Sequence, residues 1–320
     1  MSDWTVRDIP LQEGRRVLIT GATGGLGYET ALTLAGAGAE VVLSGRNAAK
    51  GSAALDKIRR QYPAASIRYE QLNLASLAAV ADFSERFLQE SDGLDLLINN
   101  AGVMAPPTRH STVDGFELQF GTNYLSHFAL TAHLLPLLRK GRQPRVVNLS
   151  SGAHRLGGAI HFDDLQWERR YQAWLAYAQS KLAMLMFANE LQRCSDANGW
   201  GLLSNACHPG YARTDLQTSG PQMGLDGKPG FLDRVGKLLE PALSQSAAEG
   251  ALPTLYAATS PDAKGATYYG PKGLFDMKGP PGVASLGRRA KDATVAERLW
   301  EVSEQLTGAH WPRGAARIAA

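Results

Sequence analysis

Apolar residues in this chain fall into short unbroken runs, and between the runs they recur at helical spacing. The first run is Arg16-Val17-Leu18-Ile19-Thr20. Val41-Val42-Leu43-Ser44, residues 66–72, Leu94-Asp95-Leu96-Leu97-Ile98, Arg145-Val146-Val147-Asn148-Leu149 and residues 202–207 follow it. Unbroken runs describe strands buried on both faces, as in a parallel sheet covered by helices. Helical patterns occupy 25–37, 47–62, 76–90, 122–140, 173–194, 244–258 and 290–306, and Thr267-Tyr268-Tyr269 supplies a seventh strand. Strands and helices alternate, so right-handed crossovers predict an α/β fold with one doubly wound, mostly parallel, seven-stranded sheet. Neither a repeat nor a linker divides the pattern, which reads as a single domain over 1–320. Residues 217–230 hold six glycines and prolines and predict a loop, placed at about 215–240. A second Gly/Pro-rich loop, 272–282, lies in a C-terminal extension of about 270–320.

Composition narrows the function classes. Of 320 residues, 44% are hydrophobic and 20% charged, a soluble globular balance. The 33 basic and 30 acidic residues leave a net charge of +3 without a Lys/Arg block, which argues against a nucleic-acid partner. Two cysteines, Cys194 and Cys207, make neither a disulfide framework nor a zinc spacing, so no metal is expected. Residues 1–14 lack the apolar core of a signal peptide. The longest apolar stretch, 128–138, is broken by His133 and Pro136 and is far short of a membrane span. A cytoplasmic protein is expected, and a homo-oligomer stays open.

The chemistry begins at Thr20-Gly21-Ala22-Thr23-Gly24-Gly25-Leu26-Gly27, between the first strand and the first helix. Gly21 can turn the chain sharply, Gly25 admits backbone to a pyrophosphate, and Gly27 lets helix pack on sheet. The helix N-terminus then offers free N–H groups to phosphates. Asn99-Asn100-Ala101-Gly102 closes the fourth strand, and Tyr177-Ala178-Gln179-Ser180-Lys181 lies on a helix. These three motifs, in this order over residues 14–214, resemble the cofactor loop, the N-N-A-G element and the Y-x-x-x-K signature of the short-chain dehydrogenase/reductase superfamily. The resemblance implies a Rossmann-type dinucleotide fold and hydride transfer between a nicotinamide and an alcohol or carbonyl carbon. The intact tyrosine, serine and lysine weigh against the alternative, a non-catalytic NADP(H)-binding redox regulator.

Nucleotide choice is read at the end of the second strand, Ser44-Gly45-Arg46-Asn47. An acid there would hold the ribose hydroxyls; Arg46, with Lys50 a turn later, instead suits a 2′-phosphate. NADP(H) is expected to be preferred, with NAD(H) still usable. Asn73, before Leu74, stands where the family commonly has Asp against the adenine amino group. Its carbonyl oxygen can accept that bond, or it is a loop residue only. The expected cofactor set is Gly21, Thr23, Gly24, Gly25, Leu26, Gly27, Arg46, Asn73, Leu74, Asn100, Ala101, Gly102, Tyr177, Lys181, Pro209, Gly210 and Thr214.

Tyr177 and Lys181, four residues apart, share a helix face. A tyrosine near pKa 10 is a poor base at neutral pH, and a neighbouring ammonium is expected to lower that value. Alignment on the family places the catalytic serine at Ser151, leaving Ser150 structural or supporting the cofactor. By resemblance Asn123 is the fourth member, holding a relay water through Lys181, or else a helix cap. His208 is read as a packed histidine. The insert between Ser151 and Tyr177, including Ala153-His154-Arg155, Phe162-Asp163-Asp164-Leu165 and Tyr171, is similar to the retinol-dehydrogenase and WW-domain-oxidoreductase branch, and to protochlorophyllide reductases. Met223, Leu225, Phe231 and Leu232 suggest an apolar or aromatic substrate, though they could simply pack on the core.

Overall fold

The computed structural model describes residues 3–157, 159–212 and 244–312. Thr214, the 217–230 loop, and the residues Met223, Leu225, Phe231 and Leu232 lie outside the described residues.

The described strands are β1 (Arg16–Thr20), β2 (Glu40–Gly45), β3 (Ile67–Gln71), β4 (Leu96–Asn99), β5 (Arg145–Leu149), β6 (Leu203–Cys207), β7 (Tyr268–Pro271) and β8 (Pro281–Val283). They form one sheet in the order β3-β2-β1-β4-β5-β6-β7-β8. All neighbours run parallel except β7 and β8, which pair antiparallel. The sheet therefore has eight strands rather than seven. The extra strand begins at the end of the 272–282 loop, where Pro and Gly masked it; as an edge strand it tolerates both.

The described helices are α1 (Gly25–Gly36), α2 (Ala48–Gln61), α3 (Leu77–Glu90), α4 (Ser126–Leu138), α5 (Ala173–Asn198), α6 (Ala247–Thr259) and α7 (Ala293–Thr307). Asn47 and Ser76 cap α2 and α3 through their side-chain oxygens. On one face of the sheet Leu34, Ile58 and Leu255 pack over Val41 and Ile98. On the other, Phe83, Phe128, Phe187, Leu299 and Trp300 pack over Leu18, Leu97 and Val146. Both faces are thus covered, which is why the strands read as continuous apolar runs. Trp300 and Trp311, from the C-terminal extension, close an aromatic cluster with Phe128 and Phe187.

Two features place the site. The strand order reverses between β1 and β4, so their carboxyl ends open a crevice. The helix expected at 122–140 also begins earlier. A helical turn, Leu118–Phe120, runs through a π turn, Gly121–Leu125, into α4. Asn123 is therefore inside a wide turn and not at a helix cap.

Candidate active site

The glycine loop is built as a cradle. Gly21 and Gly25 have φ of +67° and +54°, a left-handed backbone that favours glycine. A Cβ at Gly27 would lie 2.5 Å from both the Gly21 carbonyl and the Asn100 side chain. Gly24 precedes α1 without a side-chain cap, so the first N–H groups of that helix stay open to an anion. Asn100 ties the loop down, donating from Nδ2 to the Thr20 and Gly21 carbonyls at 2.7 and 3.2 Å.

The cleft above this loop is lined by Gly21, Thr23, Gly24, Gly25, Leu26 and Gly27, by Arg46 and Lys50, by Asn73 and Leu74, and by Asn100, Ala101 and Gly102. It also takes in Thr20, Val103, Leu118 and Thr122, which sequence reasoning did not single out. Arg46 and Lys50 are exposed, and neither has an ion-pair partner among the described residues. Asn73 spends one lone pair of Oδ1 on the Ala75 N–H at 3.1 Å, keeping a second for another donor. Pro209 and Gly210 follow β6 and approach the loop from the far side. A Cβ on Gly250 would meet Ala212, Leu26 and Pro209 together. Gly210 has φ of +64° and sits against the Met277 carbonyl.

Beyond Gly102 the polar side chains gather. A Cβ on Gly102 would lie 3.2 Å from Asn123 Oδ1 and 3.5 Å from Lys181 Nζ. Asn123 Oδ1 accepts the Val103 N–H at 2.7 Å, and its Nδ2 donates to the Val103 carbonyl and to Ser180 Oγ, both at 2.9 Å. Lys181 Nζ donates to the Leu149 carbonyl at 3.0 Å and lies 5.7 Å from the centre of the Tyr177 ring. Ser151 stands close enough to Tyr177 to favour its ionised form, and its Oγ accepts the Ala153 N–H at 3.2 Å. Ser150 points away and donates to the Lys181 carbonyl at 2.7 Å, a helix-bracing contact.

The expected direction of the Tyr177 shift is reversed. Burial pushes the phenol up to about 12, with Ser151 working against it. Burial also pushes Lys181 down to about 8. Both side chains are nearly closed to solvent, at 5% and 4% exposure. Loss of hydration then outweighs the attraction of an ammonium that is engaged with a carbonyl. At neutral pH Tyr177 is a phenol, suited to give up a proton.

A glycine cradle at a helix N-terminus, running into a Tyr–Ser–Lys–Asn cluster, suits a dinucleotide and a proton-transfer site. The model of the short chain dehydrogenase family matches residues 15–223. The chain belongs to that family. Retinol dehydrogenase 13 of Homo sapiens is 39% identical over 303 residues, covering 93% of this chain and 86% of the relative. Polyprenol dehydrogenase of Mus musculus is 39% identical over 306 residues, covering 94% and 86%. Among solved structures, an uncharacterized protein from Mycobacterium paratuberculosis superposes with a TM-score of 0.79 at 41% identity, covering 98% of this chain and 100% of its own. This dehydrogenase is accordingly an oxidoreductase acting on CH–OH groups, in the retinol-dehydrogenase-like branch. Its family binds a nicotinamide cofactor, and the glycine cradle fits one.

Among the described residues of this dehydrogenase no helix is long and apolar enough to cross a membrane. His208 is buried against the Tyr268 ring. Desolvation holds both His208 and the wholly buried His127 at about 4, below the usual 6.5. The folded state therefore binds fewer protons than the unfolded one between those values, so stability is lost as pH falls through this window. The slope reaches about 1.4 kcal/mol per pH unit for each histidine. Urea midpoints measured from pH 7 to pH 4.5 should fall steadily below pH 6.5; a flat series down to pH 5 contradicts the neutral, buried assignment.

Proposed function

We propose that this protein is an NADP(H)-dependent dehydrogenase or reductase whose substrate is an apolar alcohol or its carbonyl. The observation that carries the reading is a cleft lined by the phosphate cradle and the cationic pair Arg46 and Lys50, whose Gly102 lies directly against Asn123 and Lys181 of the Tyr177–Ser151–Lys181–Asn123 cluster. The nicotinamide supplies or takes up the hydride. Tyr177 gives its phenolic proton to the carbonyl oxygen in reduction and takes it from the alcohol in oxidation. Ser151 donates to the same oxygen and steadies its developing charge. Lys181, with its ammonium beside Gly102, orients the cofactor's ribose end and replenishes the proton on Tyr177, while Asn123 holds the floor of this pocket through Val103. Pro209 and Gly210 would hold the nicotinamide side of the bound cofactor, with Thr214 beyond them in sequence.

Arg46 and Lys50, without a neighbouring acid at the end of β2, support the phosphorylated nucleotide. The names of the relatives, retinol and polyprenol dehydrogenases, support an apolar substrate. So does Trp174, which is 58% exposed and makes a T-shaped contact with the Tyr177 ring, centroids 6.1 Å apart. The reading is tested by following nicotinamide absorbance with both nucleotides against retinoid, polyprenoid, aromatic and small polar alcohols and carbonyls. No turnover with any apolar member overturns it.

Trp174 gives this a local test. Covering about 40 Å² of apolar surface is worth about 1 kcal/mol, or roughly fivefold in affinity. Trp174→Ala should raise KM for a long apolar alcohol by about that factor and leave a small polar alcohol unchanged. An equal effect on both sets Trp174 outside the substrate path.

A further inference from the structure

His127 belongs to no sequence motif recognised above, yet it connects the two halves of the site. Thr20 ends β1, and its hydroxyl accepts the Asn100 N–H at 2.9 Å and the Ala101 N–H at 3.0 Å. Two lone pairs are then spent, and the hydroxyl proton remains to be donated. The acceptors in reach are the Ile98 carbonyl at 3.4 Å and His127 Nε2 at 2.8 Å. The shorter contact takes the proton, so Nε2 is bare and Nδ1 carries the ring hydrogen. Nδ1 stands 2.9 Å from the carbonyl oxygen of Asn123, one turn earlier. Every polar atom of the imidazole is satisfied, and the ring is completely buried. The Lys181 charge further opposes a second proton on it.

The partner of that N–H is unusual. Asn123 sits in the π turn Gly121–Leu125, where the Ser126 N–H bonds back to Gly121 across five residues. Such a turn interrupts the regular ladder and tends to occur where function needs a displaced residue. From Asn123 the connection continues through Nδ2 to Ser180 Oγ, and Ser180 Oγ donates to the Tyr177 carbonyl at 2.8 Å.

We propose that His127 is a positioning residue: its Nδ1-protonated imidazole bridges Thr20 of the glycine loop to the π turn carrying Asn123, and so sets the Tyr177–Lys181 face in register with the bound nucleotide. The inference rests on the reading of this cleft as the catalytic site. A misplacement of about 1 Å between reacting groups can cost 100-fold in rate, while nucleotide binding, made largely at the glycine loop, is less demanding.

The test has two arms. In wild-type protein labelled with 15N-histidine, long-range 1H–15N spectra read each ring's tautomer, and His127→Asn assigns the resonance. The Nδ1–H tautomer is expected; an Nε2–H or doubly protonated ring at pH 7 overturns the proposal. In the second arm, nucleotide Kd by calorimetry, thermal midpoint, kcat and KM are compared for His127→Leu, His127→Asn and His127→Gln. His127→Leu should lower kcat at least tenfold and change nucleotide Kd by less than threefold. His127→Asn keeps a donor near the Asn123 carbonyl and should recover most of kcat, whereas His127→Gln, whose amide extends to Thr20 and past the Asn123 carbonyl, should not. A folded His127→Leu with kcat within twofold of wild type overturns the inference, as does loss confined to the thermal midpoint. If His127→Leu does not fold, His127→Asn against His127→Gln and the wild-type tautomer still decide it. A wild type that turns over no alcohol or carbonyl is a failure of the proposed function instead, and the spectra distinguish the two.

Discussion

Tyr177→Phe should bind nucleotide normally and lose between about 100- and 10,000-fold in turnover, the range for removing a general acid–base. The substitution deletes one oxygen, which the surroundings make chemically consequential. The ring is 5% exposed, Ser151 is its polar neighbour, and burial holds its pKa at about 12. A phenol so shifted is fully protonated at pH 7 and ready for carbonyl reduction. Alcohol oxidation needs the opposite state, so in the wild type the oxidative kcat/KM should rise with pH between 6 and 8 while the reductive one stays level. Lys181, held at about 8, then begins to lose its charge and the rise should flatten. Both directions should collapse together in Tyr177→Phe, with calorimetric nucleotide affinity within threefold of wild type. Near-normal turnover in the folded variant means that another group delivers the proton.

The parts of this protein that were legible in its sequence are those governed by local pattern. Buried runs gave β1, β2, β4, β5 and β6, which are covered on both faces, whereas β3, at the sheet edge, is only partly buried beyond Ile67. Gly21 and Gly27 declared the cradle, because a side chain there would run into Ala101 or the Gly21 carbonyl. What escaped depends on contacts across the fold. Pro281-Gly282-Val283 carries too little apolar pattern to announce a strand and becomes one by pairing with Tyr269 to Pro271. The π turn around Asn123 has no sequence period of its own, so the region read as plain helix. Thr20 and His127 are 107 residues apart, and nothing in either neighbourhood indicates that they share a proton. The Tyr177 shift was argued from charge and came out opposite, since the depth of burial belongs to the assembled sheet and not to the Y-x-x-x-K spacing.

NADPH should bind this protein about 10- to 150-fold more tightly than NADH, the range for charge-assisted hydrogen bonds to a single phosphate, and Arg46→Ala should remove most of that difference. Gly45 brings the end of β2 close to the glycine loop, where an added Cβ would stand 3.1 Å from Thr23 Cγ2. Arg46, the next side chain, and Lys50 in the first turn of α2 line the same cleft and would hold the adenosine ribose end of a nucleotide bound in the cradle. Asn47 caps that helix by accepting the Lys50 N–H at 3.0 Å, which fixes the backbone carrying both cations. Both are exposed, so the effect should lie toward the lower end of the range and shrink further in salt. NADH has no 2′-phosphate and gains nothing from the pair. The variant should therefore weaken NADPH alone, and Arg46→Glu, by facing the phosphate with a like charge, should invert the preference. Calorimetric Kd values for both nucleotides, at low and physiological ionic strength, separate this from general damage to the cleft. Equal affinities in the unmodified protein, or an Arg46→Ala that weakens both nucleotides alike, would remove Arg46 from the phosphate and leave nucleotide choice to other residues of the cleft.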